Sequence, residues 1–219
     1  MGKNKIIIKL EVEAGKQLNF PFLHVPLKRK GMNKNMEVKV GVSNRHIHLT
    51  KEDVDILFGK DYELTPRNYL DQPGQFATEE TVILKTDKNI KEYVRIVGPT
   101  RNYTQVELLE EDKEYFGINP PVRNSGDLKN SESITIIGPK GELYKENVCI
   151  IANRHIHINT RDKGNFMEDQ IVKVEFGDTL LEDVHIKIGD SYALSLHINK
   201  DDARNNNIES GVVGIIKED

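Results

Sequence analysis

Apolar and polar side chains alternate along most of this chain with a period of two, the signature of strands with one buried face. The alternation predicts strands at Ile6–Val12, Met36–Val42, Thr81–Lys85, Tyr93–Val97, Gln105–Leu109 and Ile134–Ile137. It continues at Val148–His157, Val172–Phe176, Val184–Ile188, Ala193–Ile198 and Val212–Ile216. Pro73-Gly74, Gly98-Pro99 and Gly138-Pro139 break the runs, because proline removes a ladder donor and glycine permits the turn. Helical segments are few and short, the best being Lys51–Phe58 and Lys200–Asn205. Many short strands at close spacing predict a mainly β fold, a barrel or a sandwich. Two irregular stretches, Gly59–Phe76 and Gly117–Lys129, are long for a compact β protein, and loops of that length commonly carry function.

The pattern also repeats. Ser43-Asn44-Arg45-His46-Ile47-His48-Leu49 returns as Ala152-Asn153-Arg154-His155-Ile156-His157-Ile158, with the central Asn-Arg-His-Ile-His identical. A duplicated unit implies two similar halves. This divides the chain into a strand-like N-terminal extension (1–35), a first half (36–130) and a second half (131–219), which can exchange strands. A shorter frame recurs within each half. His48, His157 and His197 each end a strand and precede an aliphatic residue, a Thr or Asn cap, and an Asp three positions after the cap. Each frame therefore predicts a strand end followed by a capped short helix. Glu107-Leu108-Leu109-Glu110-Glu111-Asp112 fits loosely, with Glu107 in the histidine's place and no capping residue.

Residues i and i+2 of a strand face the same side, so His-x-His offers two imidazoles to one cation. The inner frame nominates a third ligand in each half. The candidate sets are His46, His48 and Glu107, and His155, His157 and His197. Three protein ligands leave a coordination position open, the pattern of a catalytic metal. Zinc suits imidazole and carboxylate donors, and cobalt, nickel or iron would also fit. A single His-x-His would be an ordinary strand feature, but two identical copies are hard to explain by packing. His24 and His185 have no partner at ligand spacing and read as structural.

Gly98-Pro99-Thr100-Arg101-Asn102-Tyr103-Thr104-Gln105 leads into the strand carrying Glu107, which brings Arg101 near the first metal set. A guanidinium beside a cation is a natural seat for phosphate, and a plain surface arginine is the competing reading. The aligned segment in the second half, Gly189-Asp190-Ser191-Tyr192, has no arginine. Pro121-Val122-Arg123-Asn124-Ser125-Gly126-Asp127 either approaches a phosphorylated ligand through Arg123 and Ser125 or simply turns the chain. Arg45 and Arg154 point away from the ligands and are expected to hold carboxylates of the opposite half.

Composition narrows the classes. A net charge of −4 leaves no basic footprint for nucleic acid. No apolar run reaches the length of a membrane span. The one cysteine, Cys149, lies in an apolar run and reads as a buried small hydrophobe in a reducing cytoplasm.

Together the paired Asn-Arg-His-Ile-His motifs, Gly98 to Glu107, and Pro121 to Asp127 resemble the PduL-type phosphate acyltransferase (phosphate propanoyltransferase) family, from about Met36 to the C-terminus. The resemblance implies two similar β-barrels with short capping helices and a two-zinc site between them. It implies reversible transfer of an acetyl or propionyl group between coenzyme A and inorganic phosphate, with Arg101 on the phosphate and the six nominated residues as ligands. Two departures stand out. The third motif reads His197-Ile198-Asn199-Lys200 where an Asp-Thr pair is expected. Residues 1–35 lack the amphipathic targeting helix of members that serve bacterial microcompartments, which favours a free cytoplasmic enzyme. A homodimer is expected. From the residues alone, a zinc-dependent hydrolase of an ester, amide or phosphoester uses the same parts, and so does a metal-buffering module without turnover.

Overall fold

The computed structural model describes residues 36–217. The strand expected at Ile6–Val12 and the residue His24 lie outside the described residues. The chain runs through β1 (Met36–Ser43), β2 (His46–His48), α1 (Lys51–Phe58), β3 (Pro66–Tyr69), β4 (Phe76–Lys85) and β5 (Ile90–Gly98). Then come β6 (Gln105–Glu107), α2 (Glu110–Phe116), β7 (Val122–Arg123), β8 (Glu132–Ile137) and β9 (Glu142–Ala152). The remainder is β10 (His155–Asn159), β11 (Ile171–Phe176), β12 (Thr179–Gly189), β13 (Ser195–Asn199), α3 (Lys200–Asn205) and β14 (Val213–Lys217).

The fold is mainly β, with two closed six-stranded barrels. The first closes in the order β4-β5-β2-β6-β9-β8 and back to β4, with β3 and β7 as short additions at β4 and β9. The second closes as β1-β13-β10-β12-β11-β14. Strands cross between the sequence halves. β1 pairs with β13 and β14, while β8 and β9 close the first barrel. Closure leaves no edge strand in either ring.

Alternation fixes which side chains fill each barrel. Ile47, Leu49, Ile96 and Val106 pack into the first core with Leu84, Val94 and Ile136. Ile156, Ile158, Ile186, Leu196 and Ile198 pack into the second with Val38, Val40 and Val174. Each such buried aliphatic contributes about 1.5–3 kcal/mol of hydrophobic free energy. The alternate residues on those strands face outward from the barrels, and on β2, β10 and β13 they include His46, His48, His155, His157 and His197.

The helices follow the caps. Thr50 Oγ1 accepts from the Asp53 backbone N–H at 3.1 Å, and Asn199 Oδ1 accepts from that of Asp202 at 2.8 Å, starting α1 and α3. Three expectations are corrected. The run Gln105–Leu109 stops being strand at Glu107 and leads into α2, where the Asp112 carboxylate accepts the Leu109 N–H at 2.9 Å. The run Val148–His157 is two strands, interrupted at Asn153 and Arg154. The frame after His157 makes only a turn, in which Asn159 Oδ1 accepts from the Arg161 N–H.

Candidate metal centre and anion cleft

β2 pairs with β6 so that His46 lies opposite Glu107, and β10 pairs with β13 so that His155 lies opposite His197. The ladder thereby brings the third candidate ligand to the same register position in each barrel. His46, His48 and Glu107 form one group and His155, His157 and His197 another, with donor atoms within 4.8 Å of one another in each. His46 Nε2 stands 3.5 Å from Glu107 Oε2, and His48 Nε2 stands 3.8 Å from Glu107 Oε1. Donors bonded to a tetrahedral zinc stand roughly 3.4 Å apart, so these groups need little adjustment to hold an ion.

Backbone carbonyls set the tautomers. Nδ1 of His46 bonds Asn44 O at 2.9 Å, that of His48 bonds Val97 O at 2.9 Å, and that of His155 bonds Asn153 O at 2.8 Å. A carbonyl only accepts, so each Nδ1 carries the proton and each Nε2 presents a lone pair. His197 Nε2 meets Ser195 Oγ at 2.8 Å, and Gln72 Nε2 donates to the same oxygen at 2.6 Å. His157 Nδ1 is buried without a hydrogen-bond partner. An orphaned buried imidazole nitrogen beside two other imidazoles is what a metal position requires.

The electrostatics agree. Burial, with the neighbouring His46 and Arg101, pushes His48 down to about 3. Burial, with His197 and Lys187, pushes His157 down to about 3. Burial also lowers His155, helped by Lys187, and His197. All four imidazoles are therefore neutral near pH 7 and free to ligate. Burial would raise the Glu107 carboxyl, but His46, His48, Arg101 and Lys187 outweigh it and hold it below the usual range.

Both groups line one cleft of about 780 Å³ between the outer faces of the barrels. Arg101 lines it too, fixed beside His48 by its own backbone N–H, which donates to Leu49 O at 2.8 Å. Its guanidinium makes no hydrogen bond or ion pair with a described residue. Ser125 also lines the cleft, and its Oγ accepts from Gln105 Nε2 at 2.7 Å. The same Gln105 amide donates to Glu107 Oε1 at 2.7 Å, orienting the carboxylate. Arg123 is not brought to the cleft. Its guanidinium turns back on its own loop, to Asp127 at 3.2 Å and to Lys129 O at 2.5 Å.

Arg45 and Arg154 do hold carboxylates, but of their own halves. Arg45 Nε donates to both Asp112 oxygens, and Arg154 Nε and Nη2 donate to Asp202 Oδ1. Each locks the helix that follows the third ligand's strand. His185 Nδ1 meets Asp169 Oδ1 at 2.6 Å, a structural pairing. Burial pushes the Cys149 thiol far up, which leaves it inert. Among the cleft residues that the sequence does not single out are Gln72, Lys187 and Tyr192, whose ring packs 4.2 Å from that of His157. Gln72 sits in the long Gly59–Phe76 stretch, which was the one signal that pointed toward it. No helix among the described residues is long and apolar enough to cross a membrane.

Comparison with known proteins bears on the chemistry. A family model described as phosphate propanoyltransferase matches residues 39–209. A phosphate propanoyltransferase of Thermotoga maritima is 45% identical over 193 residues, covering 85% of this chain and 92% of that protein. One from Priestia megaterium is 45% identical over 184 residues, covering 82% and 85% respectively. One from Lachnoclostridium phytofermentans is 40% identical over 197 residues, covering 87% and 92%.

Proposed function

This chain belongs to the phosphate propanoyltransferase family and is a phosphate acyltransferase, and from that premise we propose that it exchanges a short acyl group, acetyl or propionyl, between coenzyme A and inorganic phosphate at a two-zinc site. The observation that carries this reading is the convergence of two three-ligand groups and an unpaired arginine on one cleft.

One zinc ion is assigned to His46, His48 and Glu107, and the other to His155, His157 and His197. When bound, such ions polarise an oxygen and offset negative charge as it develops. The chain's own residues do the rest. Arg101 takes phosphate oxygens in its planar fork and holds the dianion against the thioester carbonyl, converting a bimolecular encounter into an oriented one. Ser125 offers a hydroxyl at the cleft wall. A phosphate oxygen forms the new bond to the acyl carbon, the carbon–sulfur bond breaks, and the sulfur leaves as the coenzyme A thiolate. The proton released from hydrogen phosphate balances the one the thiolate takes up. Gln105 keeps Glu107 aligned, and the Gln72–Ser195 pair steadies His197.

The test is a thioester assay in both directions with Arg101→Ala. Release of free coenzyme A from acetyl-CoA should require phosphate, and the variant should raise the phosphate KM at least tenfold, the effect of losing a charged hydrogen-bond pair. An unchanged phosphate KM, or equal thiol release in phosphate-free buffer, would refute the assignment.

A further inference from the structure

Lys187 carries the observation that the reading above leaves unexplained. It lies on β12 opposite His157 of β10, and its residue is only 9% exposed. It lines the cleft, yet its ammonium makes no hydrogen bond or ion pair with any described residue. The stem is buried while the ammonium opens on the cleft, so a cation without a protein partner faces whatever the cleft holds.

The duplicated frame makes the position more telling. Parallel pairing sets His155 against His185 and His157 against Lys187 in the second barrel. In the first barrel it sets His46 against Arg95 and Ile47 against Ile96, so the position matching Lys187 falls one step on, at Val97. Val97 is apolar, and the backbone carbonyl there accepts from His48 Nδ1. The scaffold therefore tolerates an apolar side chain at this point. A lysine is not needed for packing.

The charges facing the ammonium are Glu107 from β6, Glu168 and Asp169 from the segment before β11, and Arg101 from the loop before β6. Glu168 is engaged by the Ile188 N–H at 2.6 Å, and Asp169 by Asn124 and His185. Glu107 belongs to the first ligand group. All three carboxylates thus have other partners, and the ammonium and the Arg101 guanidinium are two cations left open on one cleft. They approach it from opposite barrels.

We infer that Lys187 is a second contact for the transferred phosphate, closing with Arg101 a two-cation seat that spans the barrels. This inference rests on the proposed phosphate acyltransferase chemistry, in which a dianion must be held between the two ligand groups. Lysine supplies a point charge and arginine a flat fork, a division that lets the phosphate pivot toward the acyl carbon while one edge stays fixed.

The experiment compares Lys187→Met, Lys187→Gln and Lys187→Arg in the metal-loaded enzyme. Phosphate and acetyl-CoA are varied separately, and inorganic phosphate binding without acyl-CoA is followed by titration calorimetry. The Met and Gln variants should raise the phosphate KM and weaken phosphate binding by roughly 10- to 100-fold, the range of one lost charged hydrogen bond. The acetyl-CoA KM and the metal content should stay put, and the Arg variant should recover most of the loss. A phosphate KM within twofold of the parent overturns the inference, and so does a shift confined to acetyl-CoA. Failure of both neutral variants to fold with their metal also overturns it, since the role would then be structural. If Arg101→Ala moves the phosphate KM and the Lys187 variants do not, only this inference falls. If neither moves it, the underlying reading falls with it.

Discussion

The two barrels share a frame but not a chemistry. His46 opposite Glu107 in the first and His155 opposite His197 in the second occupy equivalent ladder positions, with Ile47 and Ile156 buried between the paired histidines. The first group carries a carboxylate, and the second is three neutral imidazoles. An ion held by the first is one charge closer to neutral than an ion held by the second. The nearby cations also differ, a loop arginine in one barrel and a strand lysine in the other. The lesson is that the repeated backbone preserves where donors sit, while single side chains decide how strongly each side attracts an anion.

The comparison breaks most visibly through metal content. His48→Ala and His157→Ala should each leave one zinc per chain by elemental analysis and cut turnover by at least about a thousandfold, since each removes an ion that offsets developing charge. Two ions retained with full turnover would refute the ligand assignment. The next largest effect tests the shared scaffold. Ile47→Ala and Ile156→Ala, both at fully buried positions, should each destabilise the protein by about 2–4 kcal/mol in denaturant unfolding. A loss confined to one barrel would show that the two cores are not equivalent. Glu107→His makes the first group a copy of the second. It should keep two ions but slow turnover about tenfold while lowering the phosphate KM, because a more positive site binds the ground-state anion too well. Unchanged kinetics would mean that the asymmetry of charge has no role in the reaction.

The gentlest effect is pH dependence of the metal-free protein. His48 and His157 sit at about 3 when folded against an ordinary value of 6.5. Between those limits the unfolded chain binds more protons, so this contribution is complete above pH 6.5 and is lost as pH falls toward 3. Each group contributes a slope of up to about 1.4 kcal/mol per pH unit. The second barrel has three such depressed histidines and the first has His48. His157→Asn should therefore flatten the acid limb of unfolding curves recorded in chelator. An unaltered limb would place the acid sensitivity elsewhere.

What could be read from the sequence followed from repetition. The two Asn-Arg-His-Ile-His copies named four of the six grouped residues, and the inner frame reached Glu107 and His197 because both precede the same aliphatic-cap spacing. The two predicted helices match α1 and α3 because Thr50 and Asn199 are side-chain caps. α2 was missed because Leu109 cannot cap, and the bond that starts the helix comes from Asp112 reaching backward. Lys187 was invisible for a different reason. In Val184-His185-Ile186-Lys187-Ile188 it occupies the polar phase of an ordinary strand, which reads as solvent-facing. Only the apposition of a second barrel, a long-range fact, turns that face into a cleft wall. Arg123 is the opposite case, a loop arginine held on its own loop by Asp127, a carboxylate four residues on.

The crossing of β1 into the second barrel sets an order of assembly. By Ala152 the growing polypeptide already holds every strand of the first ring, whereas β1, made before any of them, must wait for β13 and β14 at the far end. Such distant closure is slow compared with local pairing. The tri-histidine pocket can thus exist only on a finished molecule, so a truncated product is denied the complete pair of sites.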